Sequence, residues 1–182
     1  MTNEAKPAEL EERNARDKEK KAAYKERGKA IQSRVINFCI SRGFIKSKKS
    51  GFILLIHAHW VFWMRPLTRS GSRSIELESG IRILNSTWPA LHLNGIHLLA
   101  SSREVNTWFV NSDESEDRCV TDLCQYIENT VFLWLRDITT ENTLLGPISP
   151  LMPEDKEMLA EALKGNENAN NIAKSKDLLG MK

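Results

Sequence analysis

The sequence predicts an α+β domain: an antiparallel sheet of three to five strands with helices packed on one face, preceded by a long N-terminal helix. Two patterns lead there. Apolar residues recur at helical spacing before residue 42 and again between residues 120 and 138, whereas between residues 51 and 84 they alternate with a period of two. A run of consecutive strands between helical blocks forms a meander, and helices over its apolar side complete the sandwich.

The first helix is expected from about Pro7 to Arg42. Proline suits a first helical position and Gly43 suits the residue just past the end. Ile31, Val35, Phe38 and Cys39 form a stripe over its last turns. Upstream, Glu9 to Lys29 offers only Leu10, Ala15, Ala22, Ala23 and Tyr24 for burial. That part reads as a solvated extension held by side-chain pairs, or as a helix awaiting a partner; its apolar spacing is too irregular for a coiled coil. The chain is therefore divided into a charged helical extension (1–30), an α+β domain (31–165) and a polar, mobile tail (166–182).

Gly51 to Met64 reads as a single strand, with Leu54, Ile56, Ala58, Trp60, Phe62 and Met64 on an apolar face and Leu55, His57, His59, Val61 and Trp63 on a mixed one. Pro66 is expected to end it. After a loop, Arg69 to Arg73, a second strand covers about Ser74 to Leu84. Ile75, Leu77, Ile81 and Ile83 mark its dry side and Glu76, Glu78 and Arg82 its wet side. Asn94-Gly95 suggests a tight hairpin within Leu91 to Leu98, or a bulge at Gly95. A last strand, Val105 to Val110, carries Trp108. The second helix, Asp113 to Ile138, has Ser112 as its cap, carboxylates at the positive end of its dipole, and a stripe of Val120, Leu123, Cys124, Ile127, Val131, Trp134, Leu135 and Ile138. A proline-rich loop leads to a short helix, about Pro153 to Lys164, closed by Gly165.

Composition and motifs exclude more than they assign. The 182 residues are 41% apolar and 27% charged, as in an ordinary globular protein. Three cysteines make no disulfide framework and suit a reducing compartment, and the charged start lacks the apolar core of a secretory signal, so a cytoplasmic location is expected. The longest apolar run, Gly51 to Met64, is too short and too polar for a bilayer, so no membrane partner is expected. There is no G-x-S-x-G, no P-loop and no G-x-G-x-x-G. Cys124 lies on a buried stripe, where a thiol acts as a small hydrophobe. The carboxylates at Asp113 to Asp117 are helix-start charges. No catalytic residue and no cofactor is therefore assigned, and the chain is not read as an enzyme. His57 and His59 share a strand face, and His92 would oppose His97 across the hairpin; no cysteine or carboxylate completes a ligand set at a known spacing, so no metal is assigned.

Binding is the remaining class. A net charge of +2 hides a split: residues 25–75 carry +10 and residues 76–182 carry −8. Such a split suggests a charged surface that meets something. Lys46, Lys48 and Lys49 precede the long strand, and Arg65, Arg69 and Arg73 follow it; Arg34 and Arg42 can join the Lys46 end. Five tryptophans are present. Trp63 lies on the mixed face with His57 and His59, and Trp88 and Trp108 flank the hairpin. An exposed aromatic anchors protein partners. The candidate binding residues are thus Trp63, His57, His59, Lys46, Lys48, Lys49, Arg65, Arg69 and Arg73. One protein partner is expected to meet the sheet face or the acidic helix. Nucleic acid bound by the basic 25–75 segment is the alternative, and oligomeric state is left open.

From Ile31 to Ile138 the order of signals resembles a bacterial domain-of-unknown-function family. The resemblance lies in Phe38-x-x-x-x-Gly43-Phe44, the lysine run from Lys46 to Lys49, a strand with Trp60, and Ser74-Ile-Glu-Leu-Glu-Ser-Gly80-Ile81. Members that sit beside polymorphic toxins are regarded as immunity proteins. The resemblance implies neutralisation of a toxin by occlusion, with complementarity in place of chemistry. It carries over no catalytic residue.

Overall fold

The computed structural model describes residues 7–49, 51–69, 74–95, 107–109, 115–138 and 140–181. Helix α1 runs from Pro7 to Ser41, and Gly43 follows it with φ +91°, where glycine has no Cβ to clash. Five strands follow: β1 (Ile45–Lys46), β2 (Ile53–Ile56), β3 (Trp60–Arg69), β4 (Ser74–Ile83) and β5 (Thr107–Phe109). They pair antiparallel in sequence order as one sheet. Then come α2 (Ser115–Tyr126), a π-helical turn (Ile127–Val131), α3 (Phe132–Ile138), α4 (Glu141–Leu145), α5 (Pro153–Leu163) and α6 (Ala169–Leu179). No described helix is long and apolar enough to cross a membrane.

The α+β class stands, and the principal core is the one the stripes implied. Ile31, Val35 and Cys39 of α1 meet Leu123, Ile127, Val131 and Leu135 of the second helical block, and both pack on Trp60, Phe62, Met64, Ile75, Ile81 and Ile83. From Leu10 to Ala23 every side chain is exposed; at Gly28 α1 lies close on the sheet, where an added Cβ would lie 2.4 Å from Thr68 Cγ2.

The expected long strand is a hairpin. β2 and β3 pair with Leu54 opposite Trp63 and Leu55 opposite Phe62, and the His57 N–H donates to the Trp60 carbonyl at 2.9 Å around Ala58 and His59. The two-residue turn inverts the parity. Leu54 joins Val61 and Trp63 rather than Trp60 and Phe62, and the His57 ring stacks on Trp60 with centroids 3.7 Å apart. Pro66 does not end β3; it pairs with Leu77. β2 reaches only as far as Met64, so Pro66 lies on an open edge, where its missing N–H costs no ladder bond, and its carbonyl accepts from Gln32 Nε2 at 2.8 Å.

The polar tail is also corrected. Residues 169–179 form α6, whose N-terminal Asn168 side chain accepts from the backbone of Asn170 and Asn171, and whose C-terminal Gly180 is left-handed with φ +65°. Ile172, Leu179 and Met181 cover Phe52, Leu54, Val61, Trp63 and Leu84 on the second face of the sheet. Ser47 Oγ donates to the Leu179 carbonyl, and the Lys48 N–H donates to that of Gly180 at 3.1 Å. The second arm of the expected Asn94-Gly95 hairpin, residues 96–98, lies outside the described residues; the Asn94 side chain pairs with Ile81, accepting from its N–H at 2.6 Å and donating to its carbonyl at 3.2 Å. His97, Arg73, Ser112 and Asp113 lie outside the described residues.

Candidate functional site

β4 alternates as the sequence implied, and this sends Arg82 to the second face, opposite Val61. That face is covered. Arg82 is 3% exposed, against the expectation of a wet face. A buried guanidinium is tolerated only if its donors are met. Nε donates to Ser175 Oγ at 2.9 Å, Nη1 to the Ala90 carbonyl at 3.1 Å, and Nη2 to the carbonyls of Ser86 at 3.2 Å and Trp88 at 2.9 Å. Burial lowers its pKa, and the Asp155 carboxylate opposes that shift. One side chain therefore ties the Ser86–Ala90 loop to β4 and to α6 together.

Between that loop and α6 lies a cleft of about 560 Å³. Trp88 and Pro89 form one wall, and Ala173, Lys174, Asp177 and Leu178 the other. Trp88 is 36% exposed, and its ring meets the edge of His92 with centroids 4.7 Å apart. His92 Nδ1 stands 3.9 Å from Asp155 Oδ2; Asp155, 3% exposed, has no partner for Oδ1 among the described residues. Asn85 fixes the far end. It donates to the carbonyls of Met158 and Asn166 at 3.4 and 3.3 Å, and its Oδ1 accepts from Asn168 N–H at 2.8 Å. The cleft is open to solvent, and its loop wall is fixed by the buried hydrogen bonds of Arg82.

No protein-family model, no curated protein and no solved structure matches this chain. The family resemblance accordingly rests on the quoted residues alone.

The sequence-derived site residues do not converge. Trp63 is no surface anchor: it is 2% exposed, packed against Phe52 beneath the tail helix. His57 is half-buried on Trp60, which pushes its pKa below the usual histidine value, and His59 Nδ1 instead meets Glu167 Oε1 at 2.9 Å. No three metal-ligating side chains gather among the described residues. Lys46 and Lys48 are exposed; Lys49 Nζ lies 3.6 Å from Asp177. Arg65 chelates Glu78 and stacks over Phe52, 4.9 Å from its centroid. The side chains of Arg69 and Arg73 lie outside the described residues.

Much of the charge split closes on itself. Arg34 Nη1 reaches Asp117 at 2.5 Å and Glu116 at 3.8 Å, and Arg42 Nη2 reaches Glu128 at 2.6 Å. The basic end of α1 thus lies along the acidic second helix instead of extending the Lys46 turn. The thiols are quiet: burial raises Cys39 to about 12 and Cys119 to about 11, and it raises Cys124 as well.

Proposed function

We propose that the chain is a non-enzymatic protein-binding module that seats a segment of one protein partner in the Trp88 cleft. The observation that supports it is the half-exposed tryptophan on a loop held at three carbonyls by a buried arginine. Tryptophan is favoured at interface hot spots, and a wall fixed before binding loses little entropy on binding. The immunity-type role implied by the resemblance is the specific form of this reading: a toxin neutralised by occlusion in the cytoplasm. It needs only a rigid, complementary surface. The nucleic-acid reading is weakened because Arg34, Arg42 and Arg65 each face a carboxylate.

Affinity purification of the full chain from its native cells, beside a Trp88→Ala variant, tests the reading. A stoichiometric protein retained by the parent and lost from the variant is expected. Equal recovery by both, or recovery of nucleic acid in its place, overturns it. Co-expression with the recovered protein then examines neutralisation: its toxicity should fall with the parent chain and persist with the variant.

A further inference from the structure

The two faces of the sheet are covered unequally. On the first, α1 and the second helical block pack over Trp60, Phe62, Met64, Ile75, Ile81 and Ile83. The second, with Phe52, Leu54, Val61, Trp63 and Leu84, lies under α6. Of the eleven residues of α6 only Ser175 and Leu179 are buried, and Ile172 and Met181 meet the same cluster in part. A cover resting on one fully buried apolar side chain adds little of the burial that stabilises the domain. The rest of its hold is polar. Asn168 N–H donates to Asn85 Oδ1 at 2.8 Å, and Asn171 Nδ2 to the Asn85 carbonyl at 3.1 Å. Ser175 Oγ accepts from Arg82 Nε at 2.9 Å, and the Leu179 and Gly180 carbonyls accept from Ser47 Oγ and the Lys48 N–H. Water can replace these partners, so each contributes modestly. The closed layer also buries the Trp63 indole N–H with no acceptor among the described residues, which costs free energy.

We propose that α6 is a hinged cover, which leaves the second face of the sheet as one unit while the rest of the domain stays folded. Gly165, left-handed at φ +85° between α5 and α6, is the pivot. An eleven-residue helix is marginal by itself, so α6 unwinds once detached. Opening bares Phe52, Leu54, Val61 and Trp63, a masked apolar face. Arg82 then loses Ser175 but keeps the carbonyls of Ser86, Trp88 and Ala90, so the loop wall of the Trp88 cleft stays while the wall of Ala173, Lys174, Asp177 and Leu178 departs. The hinge does not depend on the docking role given to that cleft. Where that role holds, an occupant touching both walls keeps the cover shut, because it binds the closed state alone.

The test is native-state hydrogen exchange of the full chain at increasing, sub-denaturing urea, read on peptides from α6, β3 and α2. The α6 amides should share one urea-dependent opening and exchange roughly tenfold or more faster than the slowest amides of β3 and α2, which wait for global unfolding. Leu179→Ala should speed the α6 opening by roughly tenfold or more and leave exchange in β3 and α2 unchanged. Two outcomes overturn the inference. In one, α6 exchanges with the same protection and urea dependence as β3, or Leu179→Ala speeds all three elements alike, so that α6 belongs to the global unit. In the other, the α6 amides exchange one by one without urea dependence, as fraying and not as a hinge. Neither measurement involves Trp88 or a partner, so the hinge and the docking role stand or fall separately.

Discussion

The guanidinium of Arg82 donates to the Trp88 carbonyl at 2.9 Å, so a residue that faces water is positioned by a cation that water barely reaches. Replacing Arg82 by Met keeps the volume and removes every donor. Asp155 then loses the nearby positive charge, and the Ser86, Trp88 and Ala90 carbonyls lose their partner. The expected cost is about 3 kcal/mol, a fall of roughly 6–12 °C in Tm. Lysine should rescue little, because an ammonium cannot span the same fork. Urea unfolding of the parent and both variants checks this, and Arg82→Lys as stable as the parent would contradict it.

Gly180 combines a left-handed backbone with close neighbours. An added Cβ would lie 2.5 Å from Ser47 Oγ and 2.6 Å from the Lys49 backbone nitrogen. Gly180→Ala should therefore loosen α6 at about 2 kcal/mol or more. Faster hydrogen exchange confined to α6 and the β1–β2 turn is the expected signature, with unchanged exchange in α2 as the internal control.

His57 gives the fold a pH dependence. Its folded pKa lies below the unfolded value, because burial against Trp60 disfavours the charged ring. The unfolded chain therefore binds more protons just below about pH 6.5, and stability falls as pH drops through that range until the folded group titrates too. His57→Phe keeps an aromatic stack and removes the titration. Its stability should decline less between pH 7 and pH 5 than the parent's, as read by chemical denaturation at each pH.

The three thiols should differ in reactivity. Cys39 and Cys119 are buried, whereas Cys124 is partly exposed. At pH 8 in native buffer an aromatic disulfide reagent should modify Cys124 first, and the other two only at the rate of opening. Fast modification of Cys39 would contradict the packing of α1 on α2.

The sequence was legible where a pattern had enough residues to repeat. α1, the second helical block and β4 follow their apolar stripes closely, and Gly43 and Gly165 mark helix ends as their positions suggested. The Gly51–Met64 stretch misled because a two-residue turn of Ala58 and His59 has neither glycine nor asparagine, so an alternating run continues through a reversal. α6 was hidden because its buried stripe is narrow: Ile172 and Leu179, seven positions apart, with Met181 beyond the helix end. Its caps, Asn168 and Gly180, were visible and could have revealed it. Once that helix is missed, Trp63 appears to face solvent and Arg82 appears to be a surface charge. The cleft could not have been read, because both its walls come from the misjudged segments. The charge split was visible, but the pairing of Arg34 and Arg42 with α2 depends on how two distant helices lie together.

The exposed stretch of α1 from Leu10 to Ala23 spans about 21 Å at the rise of an α-helix. A projection of that length makes the molecule tumble unequally about its axes, and its drag exceeds that of a sphere of equal mass.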